Sequence, residues 1–327
     1  MPYYNEKTKT ACDQRNLIQS IKLELKNLRQ IIPSLSTDDE CFSNYQIHVE
    51  EVIFSGHYSS IYLAQKNDCP EIPLVARVFE PHSQIDPAKS RYLRLLKHLD
   101  RRNQWLTSTW AIFHDFNRRV VIFQEFAIHG NLMEYVRSNN IFVPEFQLLE
   151  WAHNIYNAMD FLGSLGLCHR SINPKHILLT SFGMQPDRLI AKLSSFRDCI
   201  IYFDVNQERS IRLRCRSTSL KCQGNFQAPE TYGNIESETF DPIAADIWSY
   251  GATLFYAGSR TYPYNYKRLS SSLSTEINKM IFSRNNLTIE ALNWFDALLR
   301  PDPLERISFD EIRKDPWFRI RQCNDSN

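Results

Sequence analysis

From about residue 46, apolar and polar positions alternate with period two. YQIHVEEVIF, SIYLAQK and LVARVFE are short, rich in β-branched and aromatic residues, and separated by polar turns. That pattern predicts half-buried strands. KSRYLRLLKHLD then carries a helical spacing, and TWAIFHDF and RRVVIFQEFA return to strands. After His129-Gly130 the period lengthens. NLMEYVRSN and FQLLEWAHNIYNAMDFLGSLG predict helices, HILLT and RLIAKLSSF predict two more short strands, and a long polar loop with further helices follows. The expected fold is α+β and bilobal, with a small β-rich N-lobe and a larger helical C-lobe.

Ahead of the strands, QRNLIQSIKLELKNLRQII (14–32) places Ile18, Ile21, Leu25, Leu28 and Ile32 at 3-4-3-4 spacing, and Pro33 ends the pattern. Two heptads are too few to stand alone as a helix in water. Two readings stay open: the helix docks on the main domain, or it meets a partner in a coiled coil. The expected organisation is an N-terminal helix and linker (1–45), a domain over 46–318 and a tail (319–327). Within the domain the divisions are N-lobe 46–124, hinge 125–130 and C-lobe 131–318.

Composition narrows the class. The 327 residues are 43% hydrophobic and 23% charged, with formal net charge +1. That is a globular balance with no overall field for nucleic acid or an anionic membrane. No apolar run reaches bilayer length, and the polar N-terminus lacks a signal-peptide core. Eight cysteines are scattered without a C-x-x-C pair. They read as reduced thiols in a cytoplasmic protein, with no metal site.

The motifs carry a resemblance. CHRSINPKHILL (168–179) is a short polar loop running into an apolar strand. With the lobe order, it resembles the protein kinase superfamily over about residues 46–318. Within that superfamily, HYSSIYLA, AIHGNLMEYV and the CQGNFQAPE region are loosely similar to the calcium/calmodulin-kinase group and its testis-specific branch. His169-Arg170 matches the start of H-R-D, Phe196 the centre of D-F-G, and Ala228-Pro229-Glu230 the A-P-E motif. Asp246 opens DIWSYG, matching D-x-W-S-x-G, and Arg306 matches the arginine that pairs with the A-P-E glutamate. The resemblance implies structural roles for His169, Arg170, Phe196, Glu230, Asp246 and Arg306.

The chemical positions differ. Phosphoryl transfer needs a phosphate clamp, Mg²⁺ ligands and a group that orients the acceptor hydroxyl. The glycine loop aligns with Phe54-Ser55-Gly56-His57-Tyr58-Ser59, keeping only Gly56, a position where positive φ and close approach to phosphate are expected. Arg77 stands for the strand lysine and Tyr92 for its glutamate partner. Ser171 replaces the catalytic aspartate, Asn173 a lysine, and His176 the asparagine that holds Mg²⁺. Ser195 replaces the D-F-G aspartate, with Arg197 beside it; Asp198, nearby, is expected to point elsewhere.

These exchanges predict that no catalytic residue is intact, so that the domain is a pseudokinase rather than an enzyme. It would act as an allosteric partner or scaffold in signalling; a weak or atypical ATP-dependent serine/threonine kinase is the alternative. Gly56, Ile61, Val75, Arg77, Gln124, Glu125, Ala127 and Leu178 line the implied nucleotide pocket. No cofactor is expected: ATP binds weakly or not at all, and Mg²⁺ is not required. The lining residues otherwise pack a collapsed core between the lobes. The expected partner is a protein, an active kinase among the candidates, and not nucleic acid or membrane. RSIRLRCRSTSLK reads either as an edge strand with a cationic face of Arg212, Arg214 and Arg216 or as a solvated loop. Ser217, Thr218 and Ser219 are candidate phosphorylation sites that Arg170 would read.

Overall fold

A computed structural model describes residues 41–80, 93, 95, 96, 99, 103–115, 119–138, 143–182, 185–204, 209–214, 224–231, 239–263 and 287–320. The helix expected over 14–32, Tyr92, Ser217 to Ser219 and most of the tail lie outside these residues.

Five antiparallel strands form the N-lobe sheet: β1 (Tyr45–Ser55), β2 (Ser59–Lys66), β3 (Cys69–Phe79), β4 (Thr109–His114) and β5 (Val120–Glu125). Their order is β1-β2-β3-β5-β4. β3 begins five residues before the alternating pattern does and carries Pro70 and Pro73. Both prolines fall in a stretch where the ladder to β2 is irregular, so their missing N–H groups break no regular pairing.

Period two sorts the sheet residues onto two faces. Ile112 and Ile122 join the main core below. Ala76, Ala111 and Phe123 form one row on the opposite face, and Val78, Phe113 and Val121 the next. The loop before β4 is pinned to the C-lobe, where Leu106 bridges to Leu193 and the Thr107 N–H donates to the Leu193 carbonyl.

In the C-lobe, α1 (Leu132–Ser138) follows Gly130, whose φ of 69° suits glycine at the turn. The Asn131 side chain accepts from the Glu134 N–H, as an N-cap does. α2 (Glu145–Ser164) buries Trp151 and Ile155 fully. It packs on the hairpin of β7 (Ile177–Phe182) and β8 (Gln185–Leu193). The Trp151 indole donates to the Leu189 carbonyl, and the Asn154 side chain accepts from the Ala191 N–H. The pair β6 (Leu167–Cys168) and β9 (Ile200–Ile201) closes the base of the loop between them.

The centre of this lobe is α3 (Pro242–Ser259). Proline opens it and the Asp241 carboxylate caps it, accepting from the Ile243 and Ala244 N–H groups. From Ala245 onward every residue of α3 is buried. Hydroxyls inside it therefore bond back one turn: Ser249 to Ala245, Thr253 to Ser249 and Ser259 to Phe255. Gly251 has no room for a side chain, since a Cβ would stand 2.8 Å from that of Leu298 in α4 (Ile289–Leu298). A last turn, α5 (Phe309–Ile312), carries a capping box of Ser308 and Glu311. This is the bilobal kinase fold. No helix among the described residues is long and apolar enough to cross a membrane.

Arg306 ties the end of the domain to its middle. Its guanidinium grips both Glu230 oxygens at 2.6 and 3.0 Å and donates to the carbonyls of Ala244 and Arg300. The side chain is 1% exposed and lies 5.1 Å from the Trp248 ring centre. Removing one partner of such a buried pair strands the other's charge. Arg306→Ala is expected to lower the unfolding free energy by about 3–5 kcal/mol, measured by urea titration. A loss below about 1 kcal/mol would mean that the pair behaves as a surface ion pair.

The candidate active site

Asp246 builds the catalytic loop from beneath. One carboxylate oxygen accepts the His169 N–H at 2.6 Å and the other accepts the Arg170 N–H at 2.7 Å. These bonds hold Arg170 in the left-handed region at φ 64°, a conformation that a non-glycine residue keeps only when its surroundings impose it. Ser195 is left-handed too, at φ 67°. The loop and the segment after β8 thus bend sharply toward each other. The His169 Nε2–H donates to the Ser194 carbonyl at 2.9 Å, and its Nδ1 accepts from the Ser171 N–H. The Ser194 N–H and hydroxyl both donate to the His176 carbonyl.

Ser171, Asn173 and His176 are brought together as expected, but they bond mainly to one another. The Asn173 carbonyl oxygen accepts from the Lys175 N–H and caps the short turn Pro174–His176. Its amide nitrogen donates to the Ser171 carbonyl. His176 Nδ1 lies 2.7 Å from that same carbonyl and 3.3 Å from the Ser171 hydroxyl. Nδ1 thus faces both an acceptor, the Ser171 carbonyl, and a donor, the Asn173 amide nitrogen at 2.9 Å. Burial, with the Arg77 and Lys175 charges adding to it, holds the His176 pKa below its usual value, while the Ser171 carbonyl and Asp198 oppose that shift. A neutral imidazole is the state that can accept a proton.

Arg77 stands above this loop on β3. Its Nε is buried and has no hydrogen-bond partner among the described residues. Asp198 closes the turn Phe196–Asp198, whose final carbonyl accepts from the Arg170 guanidinium at 3.4 Å. The Asp198 charge raises the His176 pKa against the larger effect of burial. Arg197 is exposed, so its cation sits at the rim. Among the described residues, no group of three or more His, Cys, Asp or Glu is placed to hold a metal ion.

The glycine loop corrects one expectation. Gly56 does not have positive φ. A Cβ there would meet the far edge of the Phe54 ring at 2.7 Å, a side chain 55% exposed that can swing away, and the Ser59 carbonyl at 3.3 Å. Phe54 therefore lies against the turn it interrupts. Ile61, Val75 and Leu178 are each only partly buried, unlike residues at the centre of a collapsed core. Gln124 is buried, its amide donating to the Thr109 hydroxyl. Ala127 and Glu125 are half-buried along the hinge. The Glu125 carboxylate accepts from the Lys192 ammonium at 2.7 Å, a link between hinge and floor that the motifs do not reveal. The pairing of Lys192 with Leu178 across the β7–β8 hairpin is the signal that finds it, because cross-strand partners share a face.

The arginine run is not one cationic strand. Arg209–Ser210 pairs with Phe203–Asp204, while Leu213–Arg214 pairs with Thr239–Phe240. Between these, the Arg212 guanidinium bonds the Thr239 hydroxyl and carbonyl. Two short pairings in different directions divide the run, and Arg216 lies outside the described residues.

The protein kinase domain profile matches residues 47–318, and the chain belongs to that family. It is 26% identical over 202 residues to CBL-interacting protein kinase 31 of Oryza sativa subsp. japonica, covering 62% of this chain and 41% of the relative. It is 27% identical over 212 residues to CBL-interacting serine/threonine-protein kinase 16 of Arabidopsis thaliana, covering 58% and 40%. It is 27% identical over 177 residues to serine/threonine-protein kinase chk-2 of Caenorhabditis elegans, covering 53% and 34%. The chain thus spans about two fifths of the length of the first two relatives.

These similarities correct two expectations. A non-enzyme was expected from the missing carboxylates, and with it no need for ATP or Mg²⁺. Two of these relatives are named serine/threonine kinases and the third a protein kinase, and the family match runs through both lobes, which speaks against a non-enzyme that needs neither ATP nor Mg²⁺. The expectation failed physically because it judged each position by its own side chain. The charges of Arg77 and Asp198 both reach His176, in opposite directions.

The histidine beneath this site sets a pH dependence. Burial, reinforced by His176, lowers the His169 pKa from 6.5 to about 3. Between those values the unfolded chain binds a proton that the folded chain does not. The His169 contribution is therefore complete above about pH 6.5 and is lost as pH falls toward 3. Asp246 has the opposite slope, since burial raises its pKa from 3.8 to about 7 and the folded chain holds the extra proton between those values. His169→Gln keeps an N–H donor for Ser194 without a titrating ring. Melting temperatures from pH 7 to pH 4 should fall less in this variant than in the parent. Parallel curves would remove His169 as the source.

Proposed function

We propose that the chain is an ATP-dependent serine/threonine protein kinase with an atypical phosphotransfer set. The observation that carries this reading is the buried Arg77 Nε above the catalytic loop, without an acceptor among the described residues. A buried cationic donor without an acceptor is costly, and a nucleotide phosphate relieves that cost. Ile61, Val75 and Leu178 would hold the base, with Glu125 and Ala127 offering hinge backbone groups.

Asp198 supplies a carboxylate for Mg²⁺, which commonly takes one or two carboxylates together with phosphate oxygens and water. When bound, the ion would neutralise phosphate charge. His176, held neutral by burial, is the proton acceptor for a substrate hydroxyl. Ser171 keeps its place in the loop through its backbone, and Asn173 fixes the turn that presents His176. This set lacks an anionic base, so a slow enzyme is expected. Several relatives are named for a protein they interact with, and a protein partner belongs to the proposal here.

The test uses the full chain with radiolabelled ATP, Mg²⁺ and serine- and threonine-containing peptides. Label on hydroxyl residues is expected, cut about tenfold or more by Arg77→Ala, with the response to Mg²⁺ lost in Asp198→Asn. Incorporation no greater than that of heat-inactivated protein, or equal in parent and both variants, overturns the proposal.

A further inference from the structure

A cavity of about 230 Å³ opens in the C-lobe beneath the catalytic loop. Its walls come from the end of α2, from β6, from the start of α3 and from the start of α5. Met159, Leu162, Leu167 and Ile243 supply an apolar surface. The charged groups that line it are both carboxylates: Asp246, buried at the inner end, and Asp310, at the exposed edge. Among the described residues no lysine or arginine lines the space. Each Asp246 oxygen accepts one backbone N–H among the described residues, where a carboxylate has about four acceptor sites in all. A buried carboxylate short of donors is costly, and a cation beside it relieves that cost. Gly163 keeps the cavity wide. Gly251 is glycine because a Cβ would strike Leu298 at 2.8 Å, but at Gly163 a Cβ would meet nothing outside its own helix nearer than the Tyr202 hydroxyl at 4.0 Å. A helical glycine costs up to about 1 kcal/mol against alanine, and packing gives no reason for one here.

We propose that this cavity binds a small amine with an apolar body, its cation drawn to Asp246 and Asp310 and its body lying against Met159, Leu162 and Ile243. The size fits such a ligand. A dry cavity of about 150 Å³ accepts benzene, so this one takes a ring with a short chain. The lining charge selects the head group, because an anion would meet two carboxylates and no cation. Burial raises the Asp246 pKa to about 7, and a bound ammonium works against that shift by favouring the charged carboxylate. The same carboxylate holds the His169 and Arg170 N–H groups, so the ligand supports the loop from below.

The test titrates the full chain, labelled with ¹³C at its methionine methyls, with 2-phenylethylamine, 2-phenylethanol and 3-phenylpropionate. These probes share one body and differ in charge. Met159 is one of five methionines, and Met159→Leu assigns its resonance. The amine should shift that resonance to saturation, with an affinity about tenfold or more above that of the alcohol, and the propionate should leave it in place. Gly163→Leu puts a better helix former into the cavity, and should abolish the shift without lowering the melting temperature. Asp310→Asn, a change at an exposed side chain, should cut amine affinity about threefold and leave that of the alcohol unchanged. No saturable shift at Met159, equal binding of amine and alcohol, or undiminished amine binding in both variants overturns the proposal.

Discussion

The two hydrogen bonds from Asp246 to the His169 and Arg170 N–H groups are the constraint on which the site depends. They join a helix buried along most of its length to the loop that carries Ser171, Asn173 and His176. α3 cannot shift, because Gly251 packs directly on α4 and its hydroxyls are already satisfied within the helix. Its carboxylate therefore holds the loop backbone at a fixed height, and the left-handed turn at Arg170 follows. Each later contact, from His169 to Ser194 and from Ser194 back to His176, starts from that height.

This explains why the loop's architecture survives while its side chains change. Asp246 bonds to backbone N–H groups, which every residue type but proline supplies. The positions at 171, 173 and 176 are free to vary as far as the grip is concerned. What they hold here is a small polar network that closes on itself, with Asn173 and His176 sharing the Ser171 carbonyl. Further out from the loop, Arg306 has a similar structural role, fixing Glu230 to the segment that follows α4.

The sequence was most legible where a residue's role rests on backbone or on a single partner. The strands, the lobe order, Asp246 and the Arg306–Glu230 pair were all readable from spacing and motif. It was least legible where the role comes from a neighbour distant in sequence. Lys192 shows no motif, yet the β7–β8 register carries it to Glu125. Gly56 suggested a positive φ, which its backbone does not adopt. The alternating arginines left a strand and a solvated loop open, and two short pairings with different partners divide them. In each case period or identity is local, while the deciding contact is long-range.

The same distinction bears on the chemistry. A carboxylate at position 171 would carry its own charge into the loop. Here the charge is distributed: Arg77 above, Asp198 beyond the Phe196 turn, and His176 between their fields. Arg77 lowers the pKa of His176 and Asp198 raises it, both weaker than the burial that holds the ring neutral. A charged imidazole beside Arg77 would place two cations in a poorly solvated cleft, which desolvation and repulsion both oppose. The Arg77 Nε stays buried and unbonded among the described residues beside this ring. Neutrality is also what leaves a ring nitrogen able to receive a proton. Burial, the largest influence on His176, thus keeps the ring neutral, and loss of Asp198 would only favour that state further.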